Sequence, residues 1–115
     1  MHFFLTLLNE QSKTKTDALS IARRYAIAVK AKYNFPSVIL FGSHAKGNAN
    51  NDSDIDIAVI LKDYNDLIDT QLELMRLRRK VDSRIEPHPF RESEFKQTNP
   101  IVSEIIKYGQ EITIS

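Results

Sequence analysis

The stretch from residue 39 to 61, ILFGSHAKGNANNDSDIDIAVIL, constrains the fold of this chain more than any other segment. Two apolar runs, typical of buried strands, flank a polar loop that begins with Gly42 and Ser43. Because strand side chains alternate between two faces, Asp54 and Asp56 lie together on the face opposite the isoleucines. Two carboxylates this close repel each other strongly when they are partly buried, unless a cation lies between them. The pattern therefore predicts a strand–loop–strand unit with an acidic pair on one face.

The loop before the aspartates has the features of a phosphate-binding turn. Gly42 permits a tight turn and a close backbone approach, and Ser43 offers a hydroxyl and an N–H at the start of a short helix. Lys46 adds a positive charge, and Gly47 belongs to the turn back into the second strand. His44 lies in the same loop, where it could contact a phosphate. A polar hairpin with solvated aspartates would explain a lone Asp-x-Asp, but it does not explain the whole spacing.

The chemistry of the acidic pair favours a hard divalent cation. Carboxylate oxygens suit Mg²⁺, with Mn²⁺ as the alternative, and the chain has no cysteine that could supply a thiolate ligand. Waters and substrate phosphates would complete the coordination shell. We therefore expect Asp54 and Asp56 to be metal ligands.

The remaining periodicities predict an α/β (α+β) fold with helices packed on a small mixed sheet. The predicted elements are a helix from Thr14 or Thr16 to about Tyr33, strands 37–41 and 54–61, a helix from Tyr64 to about Val81, a strand at 83–90 stopped by Pro87 and Pro89, a helix from Asn99-Pro100 to Gly109, and an edge strand at 111–115. Asp63 or Asn65 is the predicted cap of the second long helix. The predicted buried stripes are Ala18, Leu19, Ala22, Tyr25, Ala26 and Val29 in the first helix, and Leu67, Ile68, Leu72, Met75 and Val81 in the second. The segment MHFFLTLLN is interpreted as core or partner-facing.

Length and charge limit the class of protein. The 115 residues are the size of one domain, 1–115, and 16 basic against 15 acidic residues give a net charge of +1. That balance argues against a general nucleic-acid binder. No apolar run reaches membrane-spanning length and the N-terminus lacks signal-peptide features, so we expect a cytoplasmic protein without membrane contact.

The motif GSHAKGNANNDSDIDIAV resembles the signature of the DNA polymerase β-type nucleotidyltransferase superfamily. The short chain is similar to its minimal nucleotidyltransferase (MNT) branch, whose members are often paired with HEPN-domain proteins as toxin–antitoxin systems. The family pattern has Gly-Ser, a stretch ending in Arg-Gly, and Ser-Asp-x-Asp after a polar turn; Lys46 stands here where arginine is commoner. The resemblance implies a polymerase β-like palm with two Mg²⁺ ions and an NTP substrate, ATP by analogy with the branch.

The family also implies a third metal-binding carboxylate on a later strand. Glu86 is the preferred candidate because strand alternation turns it away from the core, with Asp82 as the rival at the preceding turn. The alternative for Glu86 is an exposed partner of Arg84. His88, between two prolines and beside the predicted third carboxylate, is interpreted as a structural turn histidine, with contact to substrate or partner as the alternative.

The resemblance implies transfer of a nucleoside monophosphate to a hydroxyl acceptor. Asp54, Asp56 and Glu86 are then the catalytic and metal-binding residues, and Gly42, Ser43, Lys46 and Gly47 bind the nucleotide. The acceptor could be a tyrosine of a partner HEPN toxin, which would make the chain an antitoxin, and acceptor choice would come from such a partner or from a homo-oligomer. The alternative from a different class is a weakly active binding module that neutralises a toxin by masking it. A third, weaker alternative is an enzyme that adds nucleotides to RNA.

Overall fold

The computed structural model describes the backbone of residues 2–113 and the side chains of residues 17–113. The elements in chain order are α1 (His2–Lys32), β1 (Ser37–Phe41), α2 (Ser43–Lys46), β2 (Ile55–Leu61), α3 (Leu67–Arg78), β3 (Ile85–Arg91), a 3₁₀ turn (Glu92–Glu94), α4 (Pro100–Tyr108) and β4 (Gln110–Glu111). The predicted α/β class and the mixed sheet are confirmed.

The four strands form one sheet in the order β3-β2-β1-β4. Strand β1 is antiparallel to β2 and to β4, whereas β3 is parallel to β2. The prediction that Pro87 and Pro89 stop the third strand is wrong, since both lie inside β3. An edge strand tolerates proline because one side of its backbone needs no ladder hydrogen bond.

The two faces of the sheet have different coverings. Helices α1 and α3 pack on the face that carries the alternating apolar residues of β2, and this forms the main core. Its fully buried strand members include Ile55, Ile57 and Val59. On the other face, Ile105 of α4 packs against Phe41 and Ala58. Asp56 belongs to this second, thinly covered face because it alternates with the isoleucines of β2.

Helix α1 begins earlier than predicted. It runs from His2, so Thr14 and Thr16 lie inside it rather than at its N-terminus. A threonine marks a helix start only where the preceding residues do not continue the helix, and here they do. The predicted stripe is otherwise confirmed: Ala18, Ala22, Tyr25, Ala26 and Val29 are buried and Leu19 packs partly against the core. The side chains of MHFFLTLLN lie outside the described residues.

Helix α3 differs from its prediction in both its start and its buried face. It begins at Leu67, and the cap is Asp66, whose carboxylate accepts a hydrogen bond from the Asp69 N–H at 2.9 Å. The buried residues are Thr70, Leu74 and Leu77, whereas three residues of the predicted stripe are exposed, Leu67 by 53%, Ile68 by 70% and Leu72 by 49%. The helix carries two apolar stripes, and the inward one includes a threonine whose hydroxyl donates to the Asp66 carbonyl at 2.8 Å. The satisfied hydroxyl lets Thr70 take a core position.

The last helix begins where it was predicted, whereas the edge strand predicted at 111–115 is only Gln110–Glu111 within the described residues. The Asn99 side chain accepts a hydrogen bond from the Ile101 N–H at 2.9 Å and Pro100 occupies the first turn of α4, which is the predicted start. Strand β4 pairs with β1 at the sheet edge, as expected for the last strand. Within the part of the chain that the structure describes, no helix has both the length and the apolarity needed to cross a bilayer.

Candidate active site

Gly42 and Asp56 are in direct contact at the end of β1. The antiparallel register pairs Phe41 with Asp56, so the residue after Phe41 passes over the carboxylate. A Cβ atom at Gly42 would lie 2.3 Å from Asp56 Oδ2, and Gly42 has φ 72° and ψ −152°, a conformation that L side chains rarely adopt. The polar turn and the acidic strand are therefore one packed unit.

The turn continues directly into the predicted short helix. The Lys46 N–H donates to the Gly42 carbonyl at 3.1 Å, and the Gly47 N–H donates to the Ser43 carbonyl at 3.0 Å. Gly47 then ends the helix with φ 84°. The first N–H groups of a helix have no acceptor within it, and here those groups follow Gly42. The turn thus presents backbone donors beside the carboxylate of Asp56.

Asp54 stands one residue before β2, on the face that Asp56 also occupies by strand alternation. Its side chain is exposed, and it forms no hydrogen bond or ion pair with any other residue in the range 17–113. The Asp54 carboxylate is therefore free among the described residues, whereas Asp56 lies against Gly42.

Glu86 lies on the strand beside Asp56. The parallel register pairs Asp56 with Glu86, so both side chains project from the same face of neighbouring strands. Glu86 Oε2 lies 3.9 Å from Arg78 Nη1 at the edge of the sheet. No three acidic or histidine side chains among residues 17–113 lie close enough together to form a ready-made metal site. Glu86 thus lies on the strand next to Asp56, but the three carboxylates are not close enough together to form a metal site without movement.

Asp82, the rival third carboxylate, is held by Arg84. Its oxygens accept from the Arg84 backbone N–H at 2.8 Å and from Nε and Nη2 at 3.0 Å each. The hydrogen bonds from the Arg84 guanidinium hold the pKa of Asp82 below its usual value. Glu86 is therefore freer than Asp82 to contact a ligand. The alternative, in which Glu86 pairs with Arg84, is wrong, since Arg84 pairs with Asp82 and Glu86 lies near Arg78.

Lys46 and His44 of the loop both have partners within this chain, Lys46 at the surface and His44 in the interior. Lys46 forms a salt bridge with Glu104 of α4, and its ammonium lies 5.1 Å from the centre of the Tyr108 ring. The hydrogen bond to Glu104 raises the pKa of Lys46. His44 is 2% exposed, and its Nε2 lies 3.3 Å from the Ser53 carbonyl oxygen, so the expectation that it faces a phosphate is wrong.

His88 contacts Asp56, although the sequence analysis preferred a structural role for it. Its Nε2 lies 3.1 Å from Asp56 Oδ1, and its ring meets the Phe41 ring at 5.0 Å and 65°. The interpretation as a turn histidine is wrong because Pro89 continues the strand. The available signal was strand alternation, which puts His88 on the same face as Glu86, two residues before it.

The donor set fits a hard divalent cation. Asp54, Asp56 and Glu86 supply carboxylate oxygens on one face of the sheet, and the chain has no cysteine. Mg²⁺ is commonly held by one or two carboxylates together with waters and substrate phosphates, so a loosely spaced set suffices. The chemistry of these side chains therefore suits Mg²⁺ or Mn²⁺, and Asp54 and Asp56 are the residues that could hold such an ion.

Comparison with protein families gives one match that covers most of the chain. The family described as Polymerase beta, Nucleotidyltransferase matches residues 26–114. A protein of Methanocaldococcus jannaschii that is named a protein adenylyltransferase is 40% identical over 53 residues, which are 46% of this chain and 53% of the relative. The chain thus matches about half the length of that curated relative.

Solved structures share the fold at low identity. A nucleotidyltransferase-type protein from Sulfolobus solfataricus superposes with a TM-score of 0.65 at 19% identity, over 89% of this chain and 85% of the other. A toxin–antitoxin structure with AMP-PNP gives a TM-score of 0.62 at 24% identity, over 81% of this chain and 73% of the other. At such identities the likeness shows the fold alone.

Proposed function

We propose, since the chain belongs to the polymerase beta nucleotidyltransferase family, that it transfers a nucleoside monophosphate to a hydroxyl group of a partner protein. The observation that carries the proposal is the contact between Gly42 and Asp56, where only a missing Cβ lets the turn pack on the carboxylate. The relative named a protein adenylyltransferase and the similar structure with AMP-PNP support ATP as the donor and AMP as the group transferred.

The turn is the part of the site that binds the triphosphate. Backbone N–H groups after Gly42 and the Ser43 hydroxyl can donate to phosphate oxygens. Gly47 gives the loop its return turn, and Lys46, anchored to α4 through Glu104, adds positive charge at the rim. Held in this way, the α-phosphate lies near the aspartates rather than free in solution.

The acidic residues orient the reaction. Asp54, Asp56 and Glu86 would hold Mg²⁺, as two ions in the family arrangement, and the bound metal supplies charge that neutralises the triphosphate during transfer. Glu86, whose strand position is paired with that of Asp56, would accept the proton of the acceptor hydroxyl. The hydroxyl oxygen forms a bond to the α-phosphorus, the bond to the bridging oxygen breaks, and pyrophosphate leaves.

We further propose that the acceptor belongs to a HEPN-type toxin and that the chain acts as its antitoxin. Two observations support this step: the 40% identity over 53 residues to a protein named a protein adenylyltransferase, and the shared fold with a toxin–antitoxin structure. Transfer of AMP to a hydroxyl of the toxin would inactivate the toxin covalently. Because an enzyme turns over, one antitoxin molecule could inactivate many toxin molecules.

A masking function is the second candidate, and one observation favours it. Glu86 contacts Arg78 at 3.9 Å, and within residues 17–113 no three acidic or histidine side chains are close enough to hold a metal ion together. If the third carboxylate never reaches the metal, catalysis is weak and neutralisation depends on binding alone.

A label-transfer assay distinguishes the two functions. The chain is incubated with Mg²⁺, the product of its neighbouring gene as acceptor, and ATP labelled at either the α- or the γ-phosphate. We expect the α-label alone to join the acceptor, and Asp54→Asn or Asp56→Asn to lower the rate at least ~100-fold, about 2.7 kcal/mol. Asp52→Asn is the matched control because it removes an exposed acid from the same loop.

The result that contradicts the enzyme is also specific. If no label is transferred, and growth inhibition by the acceptor is still neutralised by both aspartate variants, then the chain acts by masking. Equal transfer by wild type, Asp56→Asn and Asp52→Asn would instead show that the transfer occurs elsewhere.

A further inference from the structure

We propose that His88 is a positioning residue for Asp56: its Nε2–H donates to Oδ1 and fixes the orientation in which that carboxylate receives a divalent metal. The inference rests on the proposed function and adds a residue to the same site. The two atoms are 3.1 Å apart, and both side chains are partly buried, with exposed fractions of 36% for His88 and 27% for Asp56.

The geometry assigns the tautomer. An ionised carboxylate can only accept hydrogen bonds, so the nitrogen that faces Asp56 must carry the proton. His88 therefore donates through Nε2, and Nδ1 is the unprotonated nitrogen when the ring is neutral. Because Nε2 is engaged with Asp56, it is not free to be a metal ligand.

The backbone around His88 holds the ring at the required place. His88 lies on β3 opposite Ala58 of β2, whose small side chain leaves room for the imidazole to lean towards Asp56. Pro87 fixes one neighbouring φ angle, and Pro89 restricts His88 itself to extended conformations. The Phe41 ring supports the imidazole from the side at 5.0 Å. The direction of the donor is thus set before any ligand binds.

With this hydrogen bond, both oxygens of the Asp56 carboxylate contact the protein, and its rotation is restricted. The torsion that rotates a free carboxylate is soft, so an unsupported aspartate samples many orientations. Here Oδ1 accepts from His88, and Oδ2 faces the backbone of Gly42, where a Cβ would be only 2.3 Å away. Asp54 has no such support among residues 17–113. Asp56 is therefore the fixed ligand of the pair, and hydrogen bonds of this kind typically change metal affinity 10–100-fold.

Two substitutions separate hydrogen bonding from packing. His88→Phe keeps a flat ring against Phe41 but removes the donor, whereas His88→Gln keeps an N–H donor near the position of Nε2. Binding of Mn²⁺ alone to the full chain is measured by titration, without nucleotide. We expect His88→Phe to weaken Mn²⁺ binding at least ~10-fold and His88→Gln to stay within ~3-fold of wild type. Thermal unfolding of both variants confirms that they fold.

A second measurement needs no metal and no activity. The ¹⁵N chemical shifts of the His88 ring in the metal-free chain should show protonated Nε2 and unprotonated Nδ1 in the neutral imidazole. Asp56→Ala removes the acceptor, so the preference for that tautomer should decrease. A wild-type ring with the proton on Nδ1 would overturn the proposal at once.

The outcomes also separate this inference from the proposed function. If wild type transfers label and His88→Phe binds Mn²⁺ as tightly as wild type, the positioning role is wrong and the function stands. If His88→Gln loses as much affinity as His88→Phe, ring packing and not the donor matters, and the proposal is again wrong. If wild type shows the Nε2–H tautomer but neither binds Mn²⁺ nor transfers label, the proposed function fails and the metal-positioning role fails with it.

Discussion

Gly42 links the two halves of the site at the scale of a single residue. Both Gly42 and Gly47 have positive φ, at 72° and 84°, so both disfavour any side chain. Only Gly42 also lies against Asp56, whereas nothing lies within 4 Å of a Cβ placed at Gly47. A side chain at either glycine therefore strains the backbone, but only a side chain at Gly42 also displaces the carboxylate of Asp56.

This difference gives a paired prediction. Gly42→Ala and Gly47→Ala should each lower the free energy of unfolding by about 1–3 kcal/mol through backbone strain. Gly42→Ala should in addition reduce label transfer at least ~100-fold, because displacement of a reacting geometry by about 1 Å can cost that much. Gly47→Ala should retain at least ~10-fold more activity than Gly42→Ala. Urea unfolding and initial transfer rates measure the two effects; equal activity in both variants would contradict the role given to Asp56.

Residues of the candidate site were predictable where they lie close together in the sequence. The Gly-Ser turn and the aspartates lie within one strand–loop–strand unit, so their proximity follows from sequence spacing. The hydrogen bond from His88 to Asp56 joins residues on two strands separated by a helix, and it depends on a parallel register that spacing does not specify. The contact of Glu86 with Arg78 also depends on tertiary packing, because it forms only where α3 brings Arg78 to the edge of β3.

At the scale of the elements, α1 and α3 hold the core face of the sheet together. Tyr25 of α1 is fully buried, and its hydroxyl donates to the Leu74 carbonyl of α3 at 2.7 Å. Burial raises the pKa of Tyr25 above its usual value of 10.0. This contact joins the two helices through a polar group inside an apolar layer. Its loss should therefore lower the free energy of unfolding without changing the active site.

Tyr25→Phe tests that contact. It should lower the free energy of unfolding by about 1 kcal/mol, since it removes one buried hydrogen bond while keeping the ring. Because the raised pKa favours the protonated phenol in the folded state, wild-type stability should fall as pH rises above about 10, and that fall should be smaller in Tyr25→Phe. Tyr108→Phe, at an exposed ring, is the control and should change stability little. An unchanged unfolding free energy in Tyr25→Phe would contradict the bridging role.

Helix α3 shows why the buried face of a helix cannot always be predicted from the sequence. Ile68, Leu72 and Met75 repeat at helical spacing, and so do Thr70, Leu74 and Leu77. Hydrophobicity favours the first set, yet the second set is buried. The position of the helix is set by its connections to β2 and β3, so the burial of Thr70 depends on tertiary packing that a pattern of apolar residues does not contain.

At the scale of the whole molecule, sheet order decides which residues meet. The order β3-β2-β1-β4 puts the end of β1 and the starts of β2 and β3 at one end of three neighbouring strands. The Gly-Ser turn, the aspartates, and Glu86 with His88 occupy those ends. Sequence periodicity predicted the strands and the mixed sheet, and the family resemblance predicted a later-strand carboxylate. The strand order itself follows from long-range pairing that no local pattern encodes.

The central claim is that one site holds both the nucleotide tail and the divalent metal. A crystal structure of the full chain with Mn²⁺ and a non-hydrolysable ATP analogue, with Mn²⁺ located by anomalous scattering, tests it most directly. We expect an anomalous peak about 2.0–2.6 Å from carboxylate oxygens of Asp54 and Asp56, with the triphosphate against the Gly42–Ser43 turn. Nucleotide and Mn²⁺ bound elsewhere, with both aspartates uncontacted, would contradict it.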